Sequence, residues 1–84
     1  MLSPKLKKVS TEIRERLKAG GVPARYVSVT CHVDGNVEVV NIRIVKGMET
    51  TLPDGRVLFF FVRDLYDEMV AKYDGPYMSI HWVN

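Results

Sequence analysis

The chain has 84 residues, of which 46% are hydrophobic, and a formal net charge of +2. This length fits one domain with a modest core, so we interpret residues 1–84 as a single domain. A single cysteine, Cys31, excludes an internal disulfide, which fits a reducing cytoplasm better than secretion. The longest apolar run, Val57 to Val62, is far shorter than the roughly 20 residues of a transmembrane helix. We therefore expect a cytoplasmic protein with no membrane partner.

The first predicted element is an amphipathic helix at about residues 4–19. Ser3 and Pro4 make a favourable start, with a capping hydroxyl followed by proline at the first helical position. Gly20-Gly21 provides the stop signal. Around and after the start, apolar residues recur at the three- and four-residue spacing of one helical stripe, namely Leu2, Leu6, Val9, Ile13 and Leu17.

Residues 26–44 predict a β-hairpin. Asp34-Gly35 is the dipeptide that a two-residue type I′ turn favours, because both central residues need positive φ. If Asp34 and Gly35 are the two loop residues, Val33 pairs with Asn36 and Val27 pairs with Ile42. One face then collects Val27, Val29, Cys31, Val40, Ile42 and Ile44. The opposite face collects Tyr26, Ser28, Thr30, His32, Val37, Val39, Asn41 and Arg43.

The next segment predicts a second turn and a second helix. Leu52-Pro53-Asp54-Gly55 has the residues of a tight turn, and it predicts short strands near Glu49–Leu52 and Arg56–Phe60. Helical spacing is evident from Phe61 onward. An all-apolar run does not distinguish a strand from a helix, so the helix could also begin as early as Arg56. The sequence leaves Val57–Phe61 open between the two.

A final strand completes the predicted fold. Asp74-Gly75-Pro76 ends the helix, and Tyr77–Val83 alternates, with Met78, Ile80 and Trp82 opposite Tyr77, Ser79 and His81. Two amphipathic helices and an apolar sheet face predict a two-layer α+β sandwich. We expect an antiparallel sheet of four to five strands with both helices on one face. The predicted core contains Leu6, Val9, Ile13, Leu17, Val27, Val29, Val40, Ile42, Leu65, Met69, Ile80 and Trp82.

The other face of this sheet is the candidate binding surface, because the remaining sequence offers no third layer to cover it. Tyrosine, histidine and arginine combine a broad or planar body with a polar tip, which suits recognition of a partner. The predicted protein-binding residues are therefore Tyr26, His32, Arg43, Tyr77 and His81. The alternative is an ordinary solvated sheet face, which is polar for reasons of strand propensity alone. We also expect either the open strand edges or the polar sheet face to support self-association as a homodimer.

No combination of residues predicts catalysis, a cofactor or a metal site. Cys31 and His32 are adjacent on a strand and point to opposite faces. His32 and His81 share a face, but no carboxylate or thiol there completes a zinc site. Serine and histidine also share that face without an orienting acid or an oxyanion hole. We therefore expect a protein that is not an enzyme.

Nucleic-acid binding is the alternative function. Residues 1–22 carry six lysines and arginines against two glutamates, so the basic character belongs to the first helix. Lys7, Arg14 and Lys18 fall on one stripe of that helix without an acidic neighbour. Three cations could contact three phosphates, which predicts weak and salt-sensitive binding.

Two segments carry a resemblance to a known group of domains. They are VSTEIRERLKAGGVPARYVSVTCH, residues 9–32, and VNIRIVKG, residues 40–47. With Ile13-Arg14, Leu17-Lys18 and Arg25 to Val29, the first half of the chain resembles small α+β domains associated with large polyvalent proteins of phages and conjugative elements. The resemblance implies a mobile-element origin and no catalytic residues. By association with other small phage proteins, it implies an anti-CRISPR-like inhibitor of a host protein or ribonucleoprotein complex.

Overall fold

The protein is described by a computed structural model that covers residues 3–83. Leu2, which the sequence places on the first helical stripe, lies outside the described residues. The elements are α1 (Pro4–Ala19), a short 3-10 turn (Ala24–Tyr26), β1 (Val27–Asp34), β2 (Val37–Ile44), α2 (Leu58–Tyr73) and β3 (Met78–Val83). This order of two helices and three strands confirms the predicted α+β class.

Helix α1 has the predicted bounds. Ser3 caps its start, since the Ser3 hydroxyl oxygen accepts a hydrogen bond from the Leu6 amide at 3.1 Å. This bond satisfies one of the amides that the first helical turn leaves without a partner. The helix ends at Gly20, whose amide donates to the carbonyl of Arg16. The predicted stripe is buried from Leu6 to Leu17.

The β1–β2 hairpin forms with a register that differs from the predicted one. Asp34 pairs with Val37, so Gly35 and Asn36 are the two loop residues. Gly35 has a φ of 63°, and among residues 3–83 no residue other than glycine has positive φ. A glycine at the first central position is typical of a type II′ turn, not the predicted type I′. The pairing moves by two residues, so Val27 lies opposite Ile44, and every side chain keeps its predicted face.

The predicted sheet of four to five antiparallel strands is wrong. The sheet has three strands in the order β1-β2-β3, and it is mixed because β3 runs parallel to β2. A parallel neighbour needs a long crossover connection, which is usually a helix. Helix α2 lies between β2 and β3 in the chain and provides that crossover. The helix returns the chain to the starting end of β2, so β3 runs in the same direction.

The two short strands predicted around the second turn are also absent from the described sheet. Only one isolated bridge, between Thr51 and Val57, forms in that segment. The turn itself is confirmed, since the Gly55 amide donates to the Leu52 carbonyl at 2.8 Å and Gly55 has a φ of 89°. Helix α2 begins at Leu58. Most of Val57–Phe61, which the sequence did not assign to a strand or a helix, is therefore helical.

Both helices lie against one side of the sheet, which we call the inner face. Their apolar side chains form a single buried cluster with inner-face residues such as Val40 and Ile80. All predicted core residues are buried except Trp82, which is half-buried. Arg16 of α1 pairs with Glu68 of α2, and Lys72 of α2 lies 3.1 Å from Glu12 of α1. These two contacts show that the helices run antiparallel.

Candidate protein-binding surface

The side of the sheet away from the helices, which we call the open face, has no covering layer among residues 3–83. Strand alternation places three rows of side chains there, in the register of the pairing. The rows are His32–Val39–Ser79, Thr30–Asn41–His81 and Ser28–Arg43–Val83. Most of these side chains are exposed or half-buried. Val39 is only 3% exposed, because it lies on the central strand between its neighbours.

One hydrogen bond orders the middle of the open face. The Asn41 side-chain nitrogen lies 3.0 Å from Nδ1 of His32. With the Asn41 NH₂ group as the donor, Nδ1 of His32 is the acceptor of this hydrogen bond. This contact holds the imidazole in one orientation on the surface.

Of the predicted binding residues, Arg43 and Tyr77 lie at opposite ends of the open face. Arg43 is exposed near one end. Tyr77 is 71% exposed at the other end, where its carbonyl accepts from the Glu38 amide at 2.9 Å. Six strand positions separate the two, a distance of roughly 20 Å. His81 is exposed between them, and His32 is exposed near the Tyr77 end.

Tyr26 has a partly structural role. It ends the 3-10 turn before β1 and is half-buried. Its ring packs against Gly47 so closely that a Cβ at Gly47 would lie 2.4 Å from a ring carbon. The cations of Arg25 and Lys46 lie 5.4 Å and 5.6 Å from the ring centroid. Tyr26 therefore anchors the segment after β2, and less of its ring is free for a partner than the sequence predicts.

An aromatic cluster beside β3 was missed by the sequence analysis. Phe60 is 60% exposed, and its ring centroid lies 5.4 Å from that of Phe59. Phe59 and Tyr66 pack edge-on against Trp82 at 5.9 Å and 5.6 Å. Arg63 lies over both Tyr66 and Trp82. Reading Leu58 as the helix start would have found this cluster, because the apolar stripe from that residue leaves Phe60 on the outside.

The basic stripe of α1 is exposed, but one of its members is engaged. Arg14 donates from Nη2 to the carbonyl of Val29 on β1 at 2.8 Å. Lys7 and Lys18 are exposed, and neither takes part in an ion pair within the described part of the chain. The three cations therefore lie along the side of α1 that adjoins the β1 edge.

Two acidic residues of the helix pair, Glu12 and Glu68, are used within the fold. The Tyr73 hydroxyl donates to Glu12 at 2.8 Å, and Lys72 lies beside the same carboxylate. These two contacts hold the pKa of Glu12 below its ordinary value. Hydrogen bonding to Arg16 likewise lowers the pKa of Glu68. These carboxylates join α1 to α2 and leave the outer stripe positive.

Across residues 3–83, no three histidine, cysteine, aspartate or glutamate side chains lie close enough together to hold a metal ion. Neither helix in this range has the length and apolar character needed to cross a membrane. Comparison of the chain with protein-family models, curated proteins and solved structures found no match. A function must therefore be inferred from the surface geometry alone.

Proposed function

We propose that the protein is a non-enzymatic binding protein that covers the surface of a protein partner with its open sheet face. The partner in this proposal is a host protein or ribonucleoprotein complex, which the bound protein inhibits or modulates. The origin from a phage or another mobile element rests only on the resemblance of residues 9–32 and 40–47. The observation that carries the binding proposal is the uncovered sheet face with exposed Arg43, His81 and Tyr77.

The size of the open face sets a condition on the interface. Two strands of eight residues and one of six, at the usual rise and strand spacing, give a flat area of roughly 350 Å². A stable complex buries about 800 Å² on each partner. The interface must therefore extend beyond the sheet, and residues 45–51 lie next to its Arg43 end. Val45 and Met48 are exposed apolar side chains in that segment and would add contact area.

Alanine substitution tests the proposed surface. The variant Arg43→Ala/Tyr77→Ala/His81→Ala should lose the proteins that the wild type captures from a bacterial lysate, since aromatic and arginine side chains dominate binding energy at interfaces. The control Lys5→Ala/Glu15→Ala changes exposed residues of α1 and should retain them. Circular dichroism establishes that both variants are folded. Equal capture by the triple variant and the control would reject the open face as the binding surface.

Nucleic-acid binding through α1 is the second candidate function. It is favoured by the exposure of Lys7 and Lys18 and by the position of Arg14 on the same stripe. Such binding should weaken steeply as salt rises, because each phosphate contact releases counterions. Gel mobility shift of single- and double-stranded DNA and RNA at two salt concentrations distinguishes the two functions. Tight, salt-sensitive binding that Lys7→Glu/Arg14→Glu/Lys18→Glu abolishes would replace the protein-binding proposal.

A further inference from the structure

The outer edge of β1 is a second surface, separate from the open face. Asp34 and Val37 close a two-residue turn, so the even-numbered residues of β1 bond to β2. The backbone groups of Val29, Cys31 and Val33 therefore point away from the sheet. Within residues 3–83, one hydrogen bond is made to these outward-pointing groups, and it runs from the Arg14 guanidinium to the Val29 carbonyl. An edge with free amides and carbonyls is a template for another strand.

A groove of about 570 Å³ lies beside this edge, between α1 and β1. It is lined by apolar residues that include Leu17, Val22 and Val29, with Arg14 and Lys18 also contributing to its wall. At the hairpin end of the same strand, Val33 points to the inner face but is 54% exposed. One end of β1 therefore has an apolar groove, and the other end has an uncovered apolar side chain.

The charges at the two ends of the β1 edge are opposite. Arg14 and Lys18 make the groove end basic. Glu38 lies opposite Val33 in the hairpin and makes the other end acidic together with Asp34. Neither Lys18 nor Glu38 takes part in an ion pair between described residues. A strand that runs antiparallel to β1 and carries the same charges would place each acidic end beside a basic end.

We propose that a second copy of this chain pairs with the β1 edge in antiparallel orientation, giving a six-stranded sheet across a two-fold dimer. Residues whose backbone groups point outward must face one another across the dimer. A two-fold axis at Cys31 achieves this, because it pairs Cys31 with Cys31 and Val29 with Val33. Val33 of each copy then lies opposite Val29 and covers the groove of the other copy. The Val29 carbonyl accepts from the partner's Val33 amide, which frees Arg14 to pair with the partner's Glu38. This dimer uses a surface distinct from the open face and stands independently of the proposed function.

Charge exchange tests the dimer in the full chain. Sedimentation equilibrium from low to high micromolar concentration should show a dimer for the wild type. Arg14→Glu and Glu38→Arg should each raise its dissociation constant at least about tenfold, and the double variant Arg14→Glu/Glu38→Arg should recover most of that loss. Lys5→Glu makes the same charge change elsewhere on α1 and should leave the constant unchanged. A monomer at high micromolar concentration overturns the proposal, as does a double variant no tighter than either single variant.

Two further measurements keep the proposal testable if Arg14→Glu fails to fold. Val33→Asp changes an exposed residue and should weaken the dimer, because the charge would enter the partner's groove. Oxidation with diamide should link the two copies through Cys31, since paired Cα atoms about 5.5 Å apart fall within disulfide range. Cys31→Ser should remove that link. The edge pairing is overturned if the dimer does not form this disulfide, is unaffected by Val33→Asp and is lost on Tyr77→Ala. That result would place the dimer contact on the open face.

Discussion

The contact between Gly20 and Phe61 predicts that a normally stabilising substitution will destabilise this protein. Gly20 has an ordinary φ of −80°, so alanine meets no backbone strain there. At such positions, Gly→Ala stabilises a protein by about 0.4–1 kcal/mol through the unfolded chain. An added Cβ at Gly20, however, would lie 2.3 Å from Cζ of Phe61 and 2.6 Å from Cε2. Carbon atoms pack best at about 3.5–4.0 Å, so the ring must move by roughly 1.2 Å.

The surroundings of Phe61 oppose that movement. The side chain is buried in the core cluster, and the Arg56 guanidinium lies over the ring at 4.8 Å from its centroid. Overpacking of a well-packed core costs about 1–3 kcal/mol, which exceeds the entropic gain. Subtracting the middle of the gain from the middle of this cost, we expect Gly20→Ala to lower the free energy of unfolding by about 1.3 kcal/mol.

Urea unfolding at neutral pH measures this effect, and Gly75→Ala is the matched control. Gly75 also lacks positive φ, and a Cβ there meets no atom within 4 Å. Gly75→Ala should therefore be neutral or stabilising by about 0.4–1 kcal/mol. Adding Phe61→Leu to Gly20→Ala should recover part of the loss, because a smaller side chain gives the Cβ room. If Gly20→Ala and Gly75→Ala stabilise equally, the proposed packing of α1 against Phe61 is wrong.

Three further predictions concern stability. Ser3→Ala removes the cap on the Leu6 amide and should cost about 1 kcal/mol in urea unfolding. Met69→Ala, at a fully buried position of α2, should cost about 2–5 kcal/mol in the same assay, since it leaves a cavity. The Tyr73 hydroxyl is the main cause of the lowered pKa of Glu12 in the folded protein. The ionised Glu12 therefore stabilises the fold at a pH above the ordinary carboxyl pKa. This stabilisation is lost as the pH falls through the lowered pKa of Glu12 in the folded state. Glu12→Gln should therefore lower the urea midpoint at neutral pH and flatten its fall in acid.

Each of these predictions has a control and a result that would contradict it. Ser3→Asp keeps an acceptor at the cap and should retain most of the stability, so equal losses for aspartate and alanine would argue against capping. Met48→Ala truncates an exposed side chain and should change stability far less than Met69→Ala. Glu15→Gln alters an exposed carboxylate of the same helix and serves as the control for acid unfolding. An unchanged pH dependence in Glu12→Gln would show that its contacts with α2 do not stabilise the fold.

The proposed binding residues could be assigned to a face but not to a position within it. Alternation along a strand decides on which side Arg43 and His81 lie, and the structure agrees with the sequence on both. The ring of Tyr26 packs against Gly47, a contact between segments distant in sequence that no local pattern encodes. The exposure of Phe60 depended on where α2 begins, and a run of apolar residues does not reveal a helix start.

The sequence by itself determined α1, the two faces of the hairpin and nearly all of the core, because these follow from local periodicity and capping. The tertiary structure decided the direction of β3, since an alternating strand pairs equally well with either orientation of its neighbour and only the α2 crossover makes it parallel. It also decided the hairpin register, because a two-residue shift leaves every side chain on the same face. The edge position of β1 likewise came from the sheet order, which depends on contacts among strands far apart in the chain.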